Sequence, residues 1–377
     1  MEVAVRSGVE TVIERLQRRC ASDPQVLPLS GGLPADETFP VQALAHALSE
    51  IGPSDLQYEW PEGRTELRRW IAARLHARGA EVAPENVLIT NGAQQAIDIA
   101  LSLCSGAGDA IAVPKACYPA GLELFRSRDV TPVHELLAAT AIYTMPLIAN
   151  PTGLPLSGEE RAALLASSLP IIEDDAYAEL RFDRLTSAPL LAAAPDRVFH
   201  VGTLSKTLCP GLRVGWLVVP PGERDNARRA KQRSDLQANT LTQAIVEKYL
   251  ARESFEDRLD TLASFYAERC EALTDALRRK LPWLRFRNPA GGFAVWVETE
   301  EPGDDTEFLA TAARHGVSVD PGGTFRSGAN DEPLAFRLSF SSLPPSAMGD
   351  AVNRLADALF DYQKQGQKAR RASGVAA

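Results

Sequence analysis

The chain has 377 residues, 45% of them hydrophobic and 24% charged, with a formal charge of −9 and a mean hydropathy of −0.14. That balance describes a globular chain large enough for one large domain and a smaller one, and it argues against a broad nucleic-acid surface, since no Lys/Arg-rich stripe stands out except KQGQKARR near the end. No apolar run approaches a bilayer span, and MEVAVRSGVETVIERLQRR puts acidic residues where a signal peptide has its apolar core, so no membrane partner and a cytoplasmic location are expected.

In chain order, residues 7–20 carry an amphipathic helical pattern, followed by the irregular LPLSGGLPADETFP and two further helices, VQALAHALSEI and LRRWIAARLHARG, the latter closed by Gly79. Strands and helices then alternate. ENVLITNG is a strand, AQQAIDIALSLC a helix, DAIAVP a strand, and a helix follows YPAG. IYTMPLIANPTG reads as strand and loop, SGEERAALLASS as helix, and PIIEDDAY, VFHV and GWLVV as strands. This order predicts an α/β fold, a mainly parallel sheet with helices on both faces, whose ligands lie at the carboxyl ends of the strands.

Beyond about residue 240 a long helical run, LTQAIVEKYL through DALRRKL, leads to GGFAVWVE, a short helix, GVSVDPG and FRLSFS. These suggest a smaller α+β domain partnered by the N-terminal arm. The expected division is a large domain over 41–250, a small domain from 1–40 and 251–365, and a disordered tail over 366–377. The five cysteines (20, 104, 117, 209 and 270) form no CxxC pair and the five histidines no HExxH, so no metal site or disulfide scaffold is signalled.

Three clusters fall at strand ends. In LITNGAQQ a glycine turn joins a strand ending at Thr90 to a helix starting near Ala93, which aims free N–H groups and a helix dipole at one spot suited to phosphate. Alone, it reads more simply as a plain strand-to-helix turn. PIIEDDAY delivers Glu173, Asp174 and Asp175 to one strand end, where alternation sends at least one carboxylate into the crevice; an N-cap cluster is the simpler reading. VFHVGTLSKTLCPGLRVGWLVV carries Lys206 and Arg213 in an apolar run. A lone lysine there is most simply solvated or ion-paired. Taken together, the clusters provide a phosphate cradle, an acid for a ring nitrogen and an amine able to form a Schiff base, the requirements of pyridoxal 5'-phosphate (PLP).

From about Gly31 to Phe340 the chain resembles the fold type I PLP-dependent aminotransferases of class I/II, on SKTLCPGLRVGW, NPTG and EDDAY in this order. GGLPADETFP is similar to the aminoadipate and kynurenine aminotransferase subgroup. The resemblance implies that Lys206 is the Schiff-base lysine and proton carrier, and that Asp174 pairs with the pyridine nitrogen. It implies that Tyr177 and Asn150 bond the ring hydroxyl, that Tyr118 stacks on the ring, and that Ala176 packs beneath it. Gly92, Ala93, Gln94, Thr203, Ser205 and Arg213 would hold the phosphate, with Tyr58 reaching in from the partner subunit of a homodimer. Arg337 would clamp the substrate carboxylate, with Asn150 and Gly32 beside it.

The expected activity is ping-pong transfer of an L-amino acid's amino group to a 2-oxo acid. A lyase, cyclase, decarboxylase or oxidase on the same fold is the alternative, and a sensor domain a more distant one. Alanine at 93 and threonine at 203 replace the usual serines. The 32 positions (150 − 118) between Tyr118 and Asn150 are short for this family, so a missing strand and part of a helix are expected there.

Overall fold

The computed structural model describes Arg18, residues 22–327 and residues 333–372; apart from Arg18, the helix expected over 7–20 lies outside the described residues. The strands are β1 (Leu27–Leu29), β2 (Val87–Thr90), β3 (Ala110–Ala112), β4 (Thr131–Val133), β5 (Ala141–Thr144) and β6 (Ile171–Asp174). They continue with β7 (Val198–Thr203), β8 (Gly215–Val218), β9 (Arg285–Phe286), β10 (Ala294–Pro302), β11 (Val317–Pro321) and β12 (Pro333–Ser339).

Seven strands form one sheet in the order β2-β8-β7-β6-β5-β3-β4. All its pairs are parallel except those of β8, which runs antiparallel to both neighbours. The segments VLIT, AIYT, IIED, VFHVGT and GWLV are buried at every position, as strands covered on both faces must be. Alternate residues feed two cores. Leu88, Tyr143, Ile172, Val201 and Leu217 enter one; Val87, Ile89, Ile142, Ile171, Trp216 and Val218 enter the other.

The remaining five strands form a second sheet, β1-β11-β12-β10-β9. Here β1 pairs in parallel with β11, so the N-terminal arm is stitched to the C-terminal part of the chain. The long helical run divides into helices Thr240–Arg252 and Phe255–Lys280, because Ser254 adopts an extended backbone and its side chain accepts a hydrogen bond from the Asp257 N–H.

Two expectations are corrected. The short crossover after Tyr118 lacks no strand: β4 lies at the sheet edge beside β3, and a one-turn 3-10 segment, Leu136–Ala138, connects it to β5. The final helix runs from Pro345 to Ala372, so residues 366–372 of the expected disordered tail are helical.

The end of β6 shows how alternation sorts charge. Glu173 is fully buried, yet it accepts hydrogen bonds from the Leu190 and Leu191 N–H groups at 2.5 and 3.0 Å and lies 3.1 Å from His200 Nδ1. It therefore anchors a loop instead of serving the crevice. Glu173→Ala would strand two buried N–H donors and is expected to cost at least about 3 kcal/mol in denaturant unfolding, with Glu173→Gln costing clearly less.

Candidate active site

The residue after Glu173 points the other way. Asp174 is 3% exposed, accepting from the Tyr143 hydroxyl at 2.7 Å and from the Ala176 N–H at 3.1 Å. Burial pushes its pKa up to about 6, a rise that the Tyr143 and Ala176 hydrogen bonds restrain. The lone pairs left on this carboxylate sit in a low-dielectric environment where a cationic N–H partner is strongly favoured. Asp175 is held elsewhere, at 2.5 Å from Arg78 Nη2.

Lys206 follows β7. Its Nζ lies 5.2 Å from the Tyr177 ring centroid and 5.9 Å from that of Phe293, and those two rings meet edge to face at 5.4 Å. The amine is therefore walled by aromatic surface on the side of the small sheet. Tyr118 precedes the helix Pro119–Ser127. Its hydroxyl pKa is pushed up to about 12, chiefly by burial and further by the charge of Asp174 and by Tyr177, while Arg213 and Arg337 pull it back. Tyr118 is thus within electrostatic reach of all four of those expected site residues.

The expected phosphate cradle is compact. Gly92 has φ 84°, open to glycine, and a Cβ there would collide with the Arg213 guanidinium. Gly215 on β8 leaves no room either, since a Cβ would stand 2.6 Å from the Gly92 carbonyl carbon and 2.9 Å from the Ala93 nitrogen. Arg213 itself has φ 53°, and its Nη2 donates to the Asn91 carbonyl at 3.0 Å. Ala93 opens the helix Ala93–Cys104. Gln94 Nε2 donates to the Ala120 carbonyl at 3.0 Å, while Gln94 Oε1 is buried without a hydrogen-bond partner. The Thr203 hydroxyl caps the Ser205 N–H at 3.1 Å and lies 2.9 Å from the Ser205 hydroxyl, so both hydroxyls sit at the carboxyl end of β7. Ala176 and Thr203 share the lining of one small cavity.

A second crevice is lined by Gly32, Asn150, Tyr177, Phe293 and Arg337. Arg337 Nη1 donates to Asn150 Oδ1 at 2.8 Å, which joins the small sheet to the loop after β5. Gly32 faces the guanidinium, where a Cβ would lie 3.0 Å from Nη2. Tyr58 stands apart at 77% exposed.

Three contributors are not evident from the sequence. Tyr143 holds Asp174 but reads as one more core aromatic of AIYT. Lys231 is fully buried and lies 2.5 Å from Asp235, which also accepts from Asn91 Nδ2 at 2.6 Å and Gln95 Nε2 at 2.7 Å; this network braces the cradle from behind. Asp320 contacts Arg337 at 2.7 Å. An acid directly after GVSV, within a fully buried strand segment, is the one signal that could have singled it out.

A family model described as aminotransferase class I and II matches residues 24–139 and 145–355. The 2-aminoadipate transaminase of Thermus thermophilus is 32% identical over 94% of this chain and 95% of its own length. Aromatic-amino-acid aminotransferase 1 of Thermococcus litoralis is 30% identical over 90% and 89%. The crystal structure of the α-aminoadipate aminotransferase of T. thermophilus with N-(5'-phosphopyridoxyl)-L-leucine superposes with a TM-score of 0.84 at 30% identity, covering 93% of this chain and 95% of that one.

The raised pKa of Asp174 has a measurable sign. Between the unfolded value near 3.8 and the folded value of about 6, the native apoprotein binds a proton that the unfolded chain has lost, so this group's contribution to stability falls as pH rises through that window. Asp174→Asn carries no such loss. Its stability relative to wild type, measured by denaturant unfolding of the apoproteins, should rise by up to about 3 kcal/mol between about pH 4 and pH 8. A difference independent of pH would contradict the burial of this carboxylate.

Proposed function

The chain belongs to the class I and II aminotransferases, and from that membership we propose which of its residues carry the reaction. It is a PLP-dependent aminotransferase of fold type I, moving the amino group of an L-amino acid to a 2-oxo acid. The residues present fit the cofactor: a cradle that a single Cβ at Gly92 would fill, an orphaned buried Gln94 Oε1, and a buried carboxylate with unused lone pairs.

In this reading the N–H groups of Gly92, Ala93 and Gln94, the hydroxyls of Thr203 and Ser205, and Arg213 hold the phosphate. A helix N-terminus combined with a guanidinium suits a dianion. Asp174 would pair with the ring nitrogen, its two oxygens steadied by the Tyr143 hydroxyl and the Ala176 N–H. Asn150 and Tyr177 would hydrogen-bond the ring hydroxyl, and Tyr118 and Ala176 would pack against the ring. When bound, the cofactor supplies an electrophilic carbon and an electron sink for the substrate's α-carbon. Lys206 anchors it, then takes the proton from the α-carbon and returns it at the adjoining position, acting as base and acid in turn. Arg337, with Gly32 packed on its face, receives the substrate carboxylate. The observation that carries this assignment is the placement of Lys206 Nζ against Tyr177, the residue three past the buried Asp174.

We also propose a homodimer in which Tyr58 completes the phosphate site of the partner. Tyr58 and Trp60 are 77% and 76% exposed, and Leu33, Val41 and Leu56 exceed 60% within the same stretch of chain. Large apolar side chains concentrated in one exposed segment support burial against a second copy.

Lys206→Ala is expected to lower turnover by at least about a thousandfold. Mixed with an amino acid and no oxo acid, wild type should convert its bound cofactor to the amine form and release the matching 2-oxo acid, which the variant should not do. Return of the cofactor to its starting form with product released would instead indicate elimination or decarboxylation. Tyr58→Ala should retain the fold by circular dichroism but release cofactor more readily on dialysis, and sedimentation of wild type should give the mass of a dimer.

A further inference from the structure

Arg337 projects from β12 with 8% exposure, and directly across the ladder on β11 stands Asp320, 6% exposed. Arg337 Nε and Nη2 both donate to Asp320 Oδ2, at 3.0 and 2.7 Å. Arg337 Nη1 donates to Asn150 Oδ1 at 2.8 Å. The Phe325 ring lies 4.9 Å from the guanidinium carbon, and Gly32 closes on Nη2. The Gly31 N–H in turn donates to the Asp320 carboxylate, at 3.0 Å to Oδ2 and 3.2 Å to Oδ1.

A guanidinium has five N–H donors. Three are committed to the protein here, one each on Nε, Nη2 and Nη1, so the side-on edge is spent and the two that remain belong to the terminal nitrogens. The charge is committed too, because a buried carboxylate in direct contact offsets the guanidinium's attraction for any second anion.

We propose that Asp320 is a specificity-determining positioning residue: by pairing with Arg337 across the β11 and β12 ladder, it confines the substrate carboxylate to the terminal nitrogens and cancels most of the charge that would select for it. The inference rests on Arg337 as the carboxylate holder. Its consequence is a clamp that reads hydrogen-bond geometry more than charge, and therefore discriminates weakly between a carboxylate and a neutral group of the same shape, such as a primary amide.

Asp320→Asn is a charge-selective change. With its carbonyl oxygen in the place of Oδ2, asparagine can accept from Nε, Nη2 and the Gly31 N–H as Asp320 does. The probes are phenylacetate and phenylacetamide, bound to the cofactor-loaded enzyme and measured by calorimetry. Wild type should prefer the carboxylate by less than about tenfold, the range of a charge-compensated site. In Asp320→Asn the preference should grow by roughly three- to a hundredfold, the span for one charge about 6 Å away at effective dielectric constants from about 80 down to about 20.

A purely structural pair would weaken both ligands alike and leave the ratio unmoved, which overturns the proposal. So does a wild-type preference above about a hundredfold, a measurement that needs no variant to fold. Arg337→Gln separates the two readings. If the carboxylate preference survives in that variant, Arg337 is not the holder and the premise itself fails.

Discussion

Three consecutive carboxylates at the end of a buried strand cannot share one environment, and the rest of the site depends on how β6 separates them. The two-residue period of the strand sends Glu173 to one face and Asp174 to the other. Glu173 is neutralised by backbone N–H groups and His200, while Asp175 is taken by Arg78. Only Asp174 is left to the crevice, with a hydroxyl and one amide as its local support. A single-residue slip would exchange the anchoring acid with the one that faces the crevice.

The proposed phosphate cradle is built on close backbone approach as well as charge. Strand β8 brings Gly215 against the turn at Gly92, and the left-handed backbone of Arg213 folds its guanidinium over that turn. Behind it, the buried Lys231 and Asp235 hold Asn91 and Gln95 in register. The N–H groups of the turn are therefore oriented before any anion arrives, so binding does not also have to order the loop.

Much of this was legible because the informative signals are local. The largely apolar runs VLIT, IIED and VFHVGT set β2, β6 and β7, and the turn between Thr90 and Ala93 places the helix start where the structure has it. The polar residues of NPTG, EDDAY and TLSK are brought to one end of the sheet by topology alone. What stayed hidden is pairing at a distance. Tyr143 meets Asp174 across 31 positions, Asp320 meets Arg337 across 17, and Asn91 meets Asp235 across 144. Nothing in the composition of any one of these segments distinguishes a partner from a packing residue. The crossover misled for a related reason: a three-residue strand and a 3-10 turn occupy so few positions that periodicity has no room to register.

The hydrogen bond from Arg337 to Asn150 spans two sheets that otherwise have separate hydrogen-bond ladders. A molecule lodged between them is gripped by both halves of the chain, so its binding free energy opposes their separation and not only local loosening. Occupancy then reinforces a union that the apolar core shared by the two sheets already provides, so a bound molecule raises the free energy of separating them.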